Sequence, residues 1–416
     1  MAAFLNRKLD VDTWLIFSTI VSLFLIVKMG RLGADIFVGY PILLLNTGIL
    51  LLLGRLVIHK VHAILIGIVT FGSVMAAHFS PTPLTSIIAQ VIGVSLFSVC
   101  YFSMLLTSGL TIPRWINLYA SCAFYLAVYG LVAYIAQHTL HFSPLSDQRL
   151  KAIFNEPALF VYTTLPAIGY YINCWVTERR YGTEVLIFLV AYVLADSALG
   201  FVGLLMIGAF TFIKRLTIWH LLTGALVMAL LLTGLFFASQ NFRFRVTDTY
   251  FAISNMSLAH TNGSTFALLS NLYVAGNAMM DYPVLGVGIG GYRSIYINYI
   301  GDITEGEDII AGSVGLNMDD ANSLFIRVAA ELGPIGLIGL IWFLVVCARV
   351  DGKPYRQIRN ALLPYFLIRM GRYGAYFSLE LYFFVGLYLL NYLDYRRSLA
   401  PPKPVEMPTD AHLSPA

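Results

Sequence analysis

Between Leu84 and Thr107 the sequence runs for 24 residues without one charged side chain, and long apolar runs recur along the chain. About 20 apolar residues wound as an α-helix cover the roughly 30 Å hydrocarbon core of a bilayer. A chain made of such runs has little choice of solvent. Hydrophobic residues fill 58% of its 416 positions and charged residues only 12%. A soluble domain carries about 25% charged residues to face water. The expected fold class is an all-α polytopic membrane protein.

The same composition excludes several functions. The net charge of +4 comes from Lys and Arg residues that form no basic face and whose placement largely follows membrane orientation, so no nucleic-acid partner is expected. Cys100, Cys122, Cys174 and Cys347 all fall inside apolar runs, against both a disulfide framework and a Cys-based zinc site. Met1 to Asp12 is polar and basic, and the run after it lacks a small-residue cleavage site. That run is expected to be the first transmembrane helix and not a cleavable signal.

About twelve spans are expected, near 13–29, 36–54, 61–78, 84–107, 115–136, 158–177, 184–195, 197–213, 217–238, 322–348, 358–369 and 374–394. Two stretches decide the count. Residues 184–213 make about 45 Å as one helix, long for one crossing and short for two, and hold Asp196-Ser197 near the middle. Residues 358–394 are interrupted by Arg369, Gly371 and Arg372. Reading each as two short helices puts both termini in the cytoplasm, with the basic cluster Arg349 to Arg359 on the inner side. The polar groups at both turns then reach the outer boundary. In lipid they would cost several kcal/mol each. The expected organisation is N-terminal helices over 1–136, a short periplasmic loop over 137–157 and central helices over 158–238. A large periplasmic loop over 239–321, C-terminal helices over 322–394 and a disordered cytoplasmic tail over 395–416 follow.

An 80-residue loop is rarely passive (roughly its length here). It carries Gly286, Gly288 and Gly291 in a G-x-G-x-x-G spacing, but no βαβ pattern surrounds them, so a dinucleotide site is not expected.

Three stretches carry a resemblance. Phe154-Asn155-Glu156-Pro157-Ala158 opens a helix, and Tyr282-Pro283-Val284-Leu285-Gly286-Val287-Gly288 lies late in the large loop. Asp320-Ala321-Asn322-Ser323-Leu324-Phe325-Ile326-Arg327 then leads into Ala330-Glu331-Leu332-Gly333-Pro334-Ile335-Gly336. In order and topology, over roughly residues 150–350, they resemble the superfamily of O-antigen ligases and Wzy-type O-antigen or exopolysaccharide polymerases. The resemblance implies a GT-C-like, metal-independent membrane glycosyltransferase of the bacterial inner membrane. It would use undecaprenyl-pyrophosphate-linked oligosaccharide at the periplasmic face, beside membrane lipid and with a flippase and a chain-length regulator as partners. Ligases usually carry a histidine where this chain has Ala321, and an arginine where it has Ala198. Both departures favour a polymerase over a ligase. A transporter or lipid-linked glycan flippase is the alternative from another class, since twelve helices with two interruptions suit one; the large loop and the lack of an internal repeat weigh against it.

Glycan transfer from a lipid pyrophosphate needs positive charge on the leaving group and a base for the acceptor hydroxyl. With no cofactor or metal implied, arginine is the natural electrophile, because it stays charged and grips phosphate with paired donors. Arg369 and Arg372 interrupt an apolar stretch and lie three apart, on roughly one side of a helix. They either contact pyrophosphate or pair with carboxylates that hold helix ends. Arg327 either joins them or makes an i,i+4 pair with Glu331, and Arg293 follows the glycine run, where a flexible backbone would let it approach a ligand. Asn322 and His260 complete the candidate substrate contacts. Glu156 and Asp320 are the candidate catalytic carboxylates, each also placed to cap a helix. Tyr282, Tyr292, Tyr296 and Tyr299 either stack on sugars or anchor an interface. For the topology, reporter fusions at Thr261 and Gly352 are expected to read external and cytoplasmic respectively; a cytoplasmic signal at Thr261 rejects this arrangement.

Overall fold

The computed structural model describes residues 10–26, 28–32, 34–140, 149–212, 233–234, 236–237, 240–255, 258–259, 261–305, 309 and 312–400. The chain is helical apart from one two-stranded antiparallel ribbon, β1 (Lys28–Leu32) and β2 (Ala34–Phe37), in which Arg31 pairs with Asp35. Helices α1 (Val11–Ser22) and α2 (Gly39–Leu52) flank the ribbon. Next come α3 (Lys60–Phe79), α4 (Leu84–Thr107), α5 (Ile112–Leu140), α6 (Pro157–Glu178), α7 (Gly182–Ala195) and α8 (Ala198–Phe212). Three further helices are α9 (Gln240–Asn255), α10 (Gly263–Asp281) and α11 (Tyr292–Thr304). The last three are α12 (Leu324–Cys347), α13 (Tyr355–Arg372) and α14 (Leu379–Ser398).

Among the described residues four helices, α3, α4, α5 and α12, are long and apolar enough to cross a membrane. Their outward faces fit that solvent. On α12, Ile335, Ile338, Trp342 and Val345 recur at helical spacing and are all exposed, a large apolar surface that water would not tolerate. Inside the bundle, α6 packs against α5, α7, α8 and α13. Polar side chains there find partners across helices, as where Asn360 Nδ2 donates to Asn173 Oδ1 at 2.9 Å.

Several boundaries differ from the sequence expectation. The first apolar run was expected to stay helical to residue 29, but α1 stops at Ser22. There the N–H groups of Leu23, Phe24 and Leu25 donate three residues back, to Ile20, Val21 and Ser22, tightening the end into the ribbon. The break at Asp196 is present: this residue takes a left-handed φ of 43° and separates α7 from α8. The turn expected at Arg369–Arg372 instead lies at residues 373–378, because α13 continues through both arginines. Segment 239–321, expected as a large loop, holds α9, α10 and α11 among its described residues. Most of the expected span 217–238, and the tail from residue 401, lie outside the described residues.

The glycine run and the Glu-Leu-Gly-Pro stretch form one unit. Helix α12 kinks at Gly333, which has a φ of 62°, and Pro334 has no N–H to offer the carbonyl of Ala330. Val287 N–H supplies that bond at 3.0 Å, and Gly288 N–H bonds the next carbonyl, Glu331, at 2.9 Å. Ser80 and Thr82 hydroxyls donate to Val287 O at 2.9 and 2.7 Å, while Ser73 Oγ accepts from Ile289 N–H at 3.1 Å. The run is thus a strut between α12 and the α3–α4 hairpin, held on both sides. Gly286 sits at φ 65°, and a Cβ there would stand 2.5 Å from Ala330 O. Gly286→Ala is expected to cost about 2–4 kcal/mol from backbone strain plus overpacking, read as a lowered thermal midpoint in detergent. Gly276→Ala, where nothing lies within 4 Å, should leave that midpoint unchanged or slightly raised.

Candidate functional site

Two buried guanidinium groups shape the site. Arg369, 1% exposed, donates to Glu380 Oε1 at 3.1 Å, to Tyr162 Oη at 2.6 Å and to Tyr365 Oη at 3.1 Å, and also bonds the Ala375 carbonyl. Arg327 donates to Glu331 Oε2 at 3.3 Å and to Gly374 O at 3.1 Å, and stacks over the Tyr376 ring at 4.1 Å. Their carbonyl targets are all in the 373–378 strap between α13 and α14. Ser323, which caps α12, bonds the Met370 carbonyl. The strap is therefore pinned from two helices by charges that cannot be given up. Glu331 has a second role: its Oε1 accepts the Tyr292 N–H at 3.2 Å, placing a carboxylate at the N-terminus of α11.

Arg372 has a different environment. Its Nη1 donates to Asn322 Oδ1 at 2.6 Å, and its side chain lines a cavity of about 570 Å³ with Phe244, Asn262, Ser264, Leu316 and Asn317. Among the described residues no carboxylate pairs with it. Asn322 is held in turn. It adopts a left-handed φ of 60°, which asparagine tolerates, and its N–H donates to Asp320 Oδ1 at 3.1 Å, an oxygen that also accepts from Asn317 Nδ2 at 3.0 Å. Asn322 is 1% exposed, yet its Nδ2 has no hydrogen-bond partner among the described residues. A buried donor without a partner costs about 1–3 kcal/mol.

The other candidates distribute as follows. Glu156 stands exposed at the start of α6 and makes no side-chain cap bond, with Pro157 in the first turn. Both Glu156 and Arg372 lie within electrostatic reach of Tyr373. Asp320 serves as the acceptor that shapes the 317–322 turn. Arg293 is not free to approach a ligand from a flexible loop, because the glycine run is fixed and the guanidinium pairs with Asp319 at 3.1 Å, half exposed. His260 lies outside the described residues. Tyr292 and Tyr296 are buried in the packing of α10 with α11, where the Tyr292 hydroxyl donates to Asn271 Oδ1 at 2.8 Å. Burial, with the Asp281 carboxylate adding, raises the Tyr299 phenol above its ordinary value. Ala321 is fully buried in the same apolar cluster at φ 57°. Among the described residues no group of three His, Cys, Asp or Glu side chains is placed to hold a metal ion.

Sequence reasoning missed Glu380, Tyr162 and Tyr365 as the partners of Arg369. Glu380 was the one findable from pattern, as an acidic residue in the first turn of an apolar helix. No protein-family model matches the chain, and no curated protein matches it.

The two arginines should respond differently to loss. Glu380→Ala strands a buried guanidinium and is expected to cost about 3–5 kcal/mol. Arg372→Ala removes one bond beside a cavity that water can fill, at about 1 kcal/mol. Thermal unfolding of the purified variants in detergent checks this; equal losses would show that Arg372 also holds the fold.

Proposed function

We propose that the chain is a polysaccharide polymerase of the bacterial inner membrane, a glycosyltransferase with about twelve spans and its site at the periplasmic face. It moves a glycan from undecaprenyl pyrophosphate to a sugar hydroxyl of a second lipid-linked repeat unit, as in O-antigen, exopolysaccharide or capsule synthesis. The observation that carries this reading is Arg372, a cation with no described carboxylate partner that lines a cavity at the end of a helix in an apolar bundle. A guanidinium that lines a polar cavity without a carboxylate of its own is free to grip an incoming anion with paired donors. A pyrophosphate brought by its own lipid tail is such an anion.

In this mechanism the acceptor hydroxyl oxygen attacks the anomeric carbon of the donor glycan. The bond from that carbon to the pyrophosphate oxygen breaks, and the electron pair leaves with the lipid pyrophosphate. Arg372 stabilises the charge that develops there, and Asn322 holds its guanidinium in advance. The hydroxyl proton goes to a carboxylate. Glu156 is the base in this reading, because it is exposed and uncommitted to a cap, whereas Asp320 is occupied in its turn. The buried Ala321 offers no base.

Arg372→Lys keeps the charge and loses the paired donors, so polymer formation should fall about 10²–10³-fold at normal protein level, with lipid-linked single repeat units accumulating. Glu156→Gln should fall about 10²–10⁴-fold. Polymer yield and chain length in a deletion strain carrying each variant provide the measurement; wild-type polymer from Arg372→Lys would remove this reading's support.

A further inference from the structure

The cavity beside Arg372 is lined by groups of two chemical kinds. The Arg372 guanidinium, held by Asn322 Oδ1, is the cation. Phe244 from α9, Ser264 from the first turn of α10 and Asn317 from the turn before α12 form a second, uncharged wall. That second wall contributes no cation, so it is not an extension of a phosphate site. It is not a groove for a lipid tail either, because Asn262, Ser264 and Asn317 interrupt its apolar surface. An aromatic face beside neutral hydrogen-bonding groups suits a ring with an apolar C–H face and hydroxyls around its edge.

The wall is also built to hold its shape. Asp248 Oδ2 on α9 accepts the Asn262 N–H at 2.9 Å, and the Thr249 and Thr265 hydroxyls meet at 2.9 Å. Asn262 Oδ1 in turn accepts the N–H groups of Ser264 and Thr265 at 3.1 Å. The first turn of α10 is thus capped from within, which leaves it little capacity as an anion site. The Phe244 side chain is 57% exposed on this braced hairpin. The cavity, at about 570 Å³, falls in the size range of about 300–1,000 Å³ typical of small-molecule sites.

Resting on the polymerase reading, we infer that the α9–α10 hairpin seats the sugar joined to the pyrophosphate, with Phe244 under its apolar face and Ser264 and Asn317 at its hydroxyls. The hairpin then selects the donor sugar, while Arg372, held by Asn322, grips the phosphoryl oxygens whatever the sugar is.

The test uses the full chain in lipid nanodiscs and two kinds of soluble short-chain probe. One is citronellyl pyrophosphate; the other is a set of citronellyl pyrophosphates each bearing one hexose or N-acetylhexosamine. Wild type is expected to bind at least one sugar-bearing probe more tightly than the bare one. Arg372→Ala should weaken both kinds at least about tenfold. Phe244→Ala, at an exposed site, should weaken only the sugar-bearing probe, by about fivefold or more, and Ser264→Ala should change the ranking among sugars. If Phe244→Ala leaves both kinds unchanged or weakens them equally, the sugar seat is wrong while the pyrophosphate site stands. If wild type binds neither kind, both this inference and the polymerase reading fall.

Discussion

A guanidinium in an apolar bundle cannot shed its charge, so the chain around it must supply compensation. Arg369 and Arg327 meet this condition by gathering carbonyls of the 373–378 strap as well as the carboxylates of Glu380 and Glu331. The strap has no secondary structure of its own to set its path. Its position follows from the two charges, and the positions of Asn322 and Arg372 follow from the strap. A buried ion pair is weak evidence for net stability, because desolvation offsets much of the attraction. The pairs here are better understood as fixing one geometry, since any displacement of the strap would leave a buried charge or carbonyl without a partner.

Arg369 and Arg372 lie three positions apart, and on an uninterrupted helix they would share a face. They diverge because α13 ends between their roles. Arg369 still has helix on both sides and points among Tyr162, Tyr365 and Glu380, whereas Arg372 is the last helical residue and turns to the 317–322 segment. The first is used up by the fold. The second is left with a single neutral partner, a condition that a ligand-binding cation needs and a structural one avoids.

How much of this was legible in the sequence depended on whether a signal was local. The charge-free run over 84–107 gave α4 to the residue, because length and apolarity alone decide such a helix. The break at Asp196 was legible for the same reason: a charged residue in a run too long for one crossing. The ends of α1 and α13 were not, since apolar residues continue past the first and polar ones lie inside the second, and the endpoints depend on contacts with distant segments. The helices of 239–321 were hidden by their polarity. Glu380 was visible as an acidic residue opening an apolar helix, but its pairing with Arg369, 11 residues away across a turn, follows no helical spacing rule. For the site, sequence pattern singled out Arg369 and Arg372 but could not say that Arg369 is the one paired with a carboxylate inside the fold.

The motif that looked most like a ligand loop is a repair of the backbone. Pro334 leaves the carbonyl of Ala330 without its helical donor, and the glycine run, approaching closely enough only because Gly286 lacks a Cβ, returns a donor from Val287. This exchange ties the segment leading into α11 to α12, and Glu331 adds a second tie at the start of α11. Because α10 and α11 pack on each other and α12 carries the 317–322 turn at its start, the strut fixes both walls of the cavity to one frame. Two cavity walls that keep a fixed relation need that frame more than they need flexible glycines.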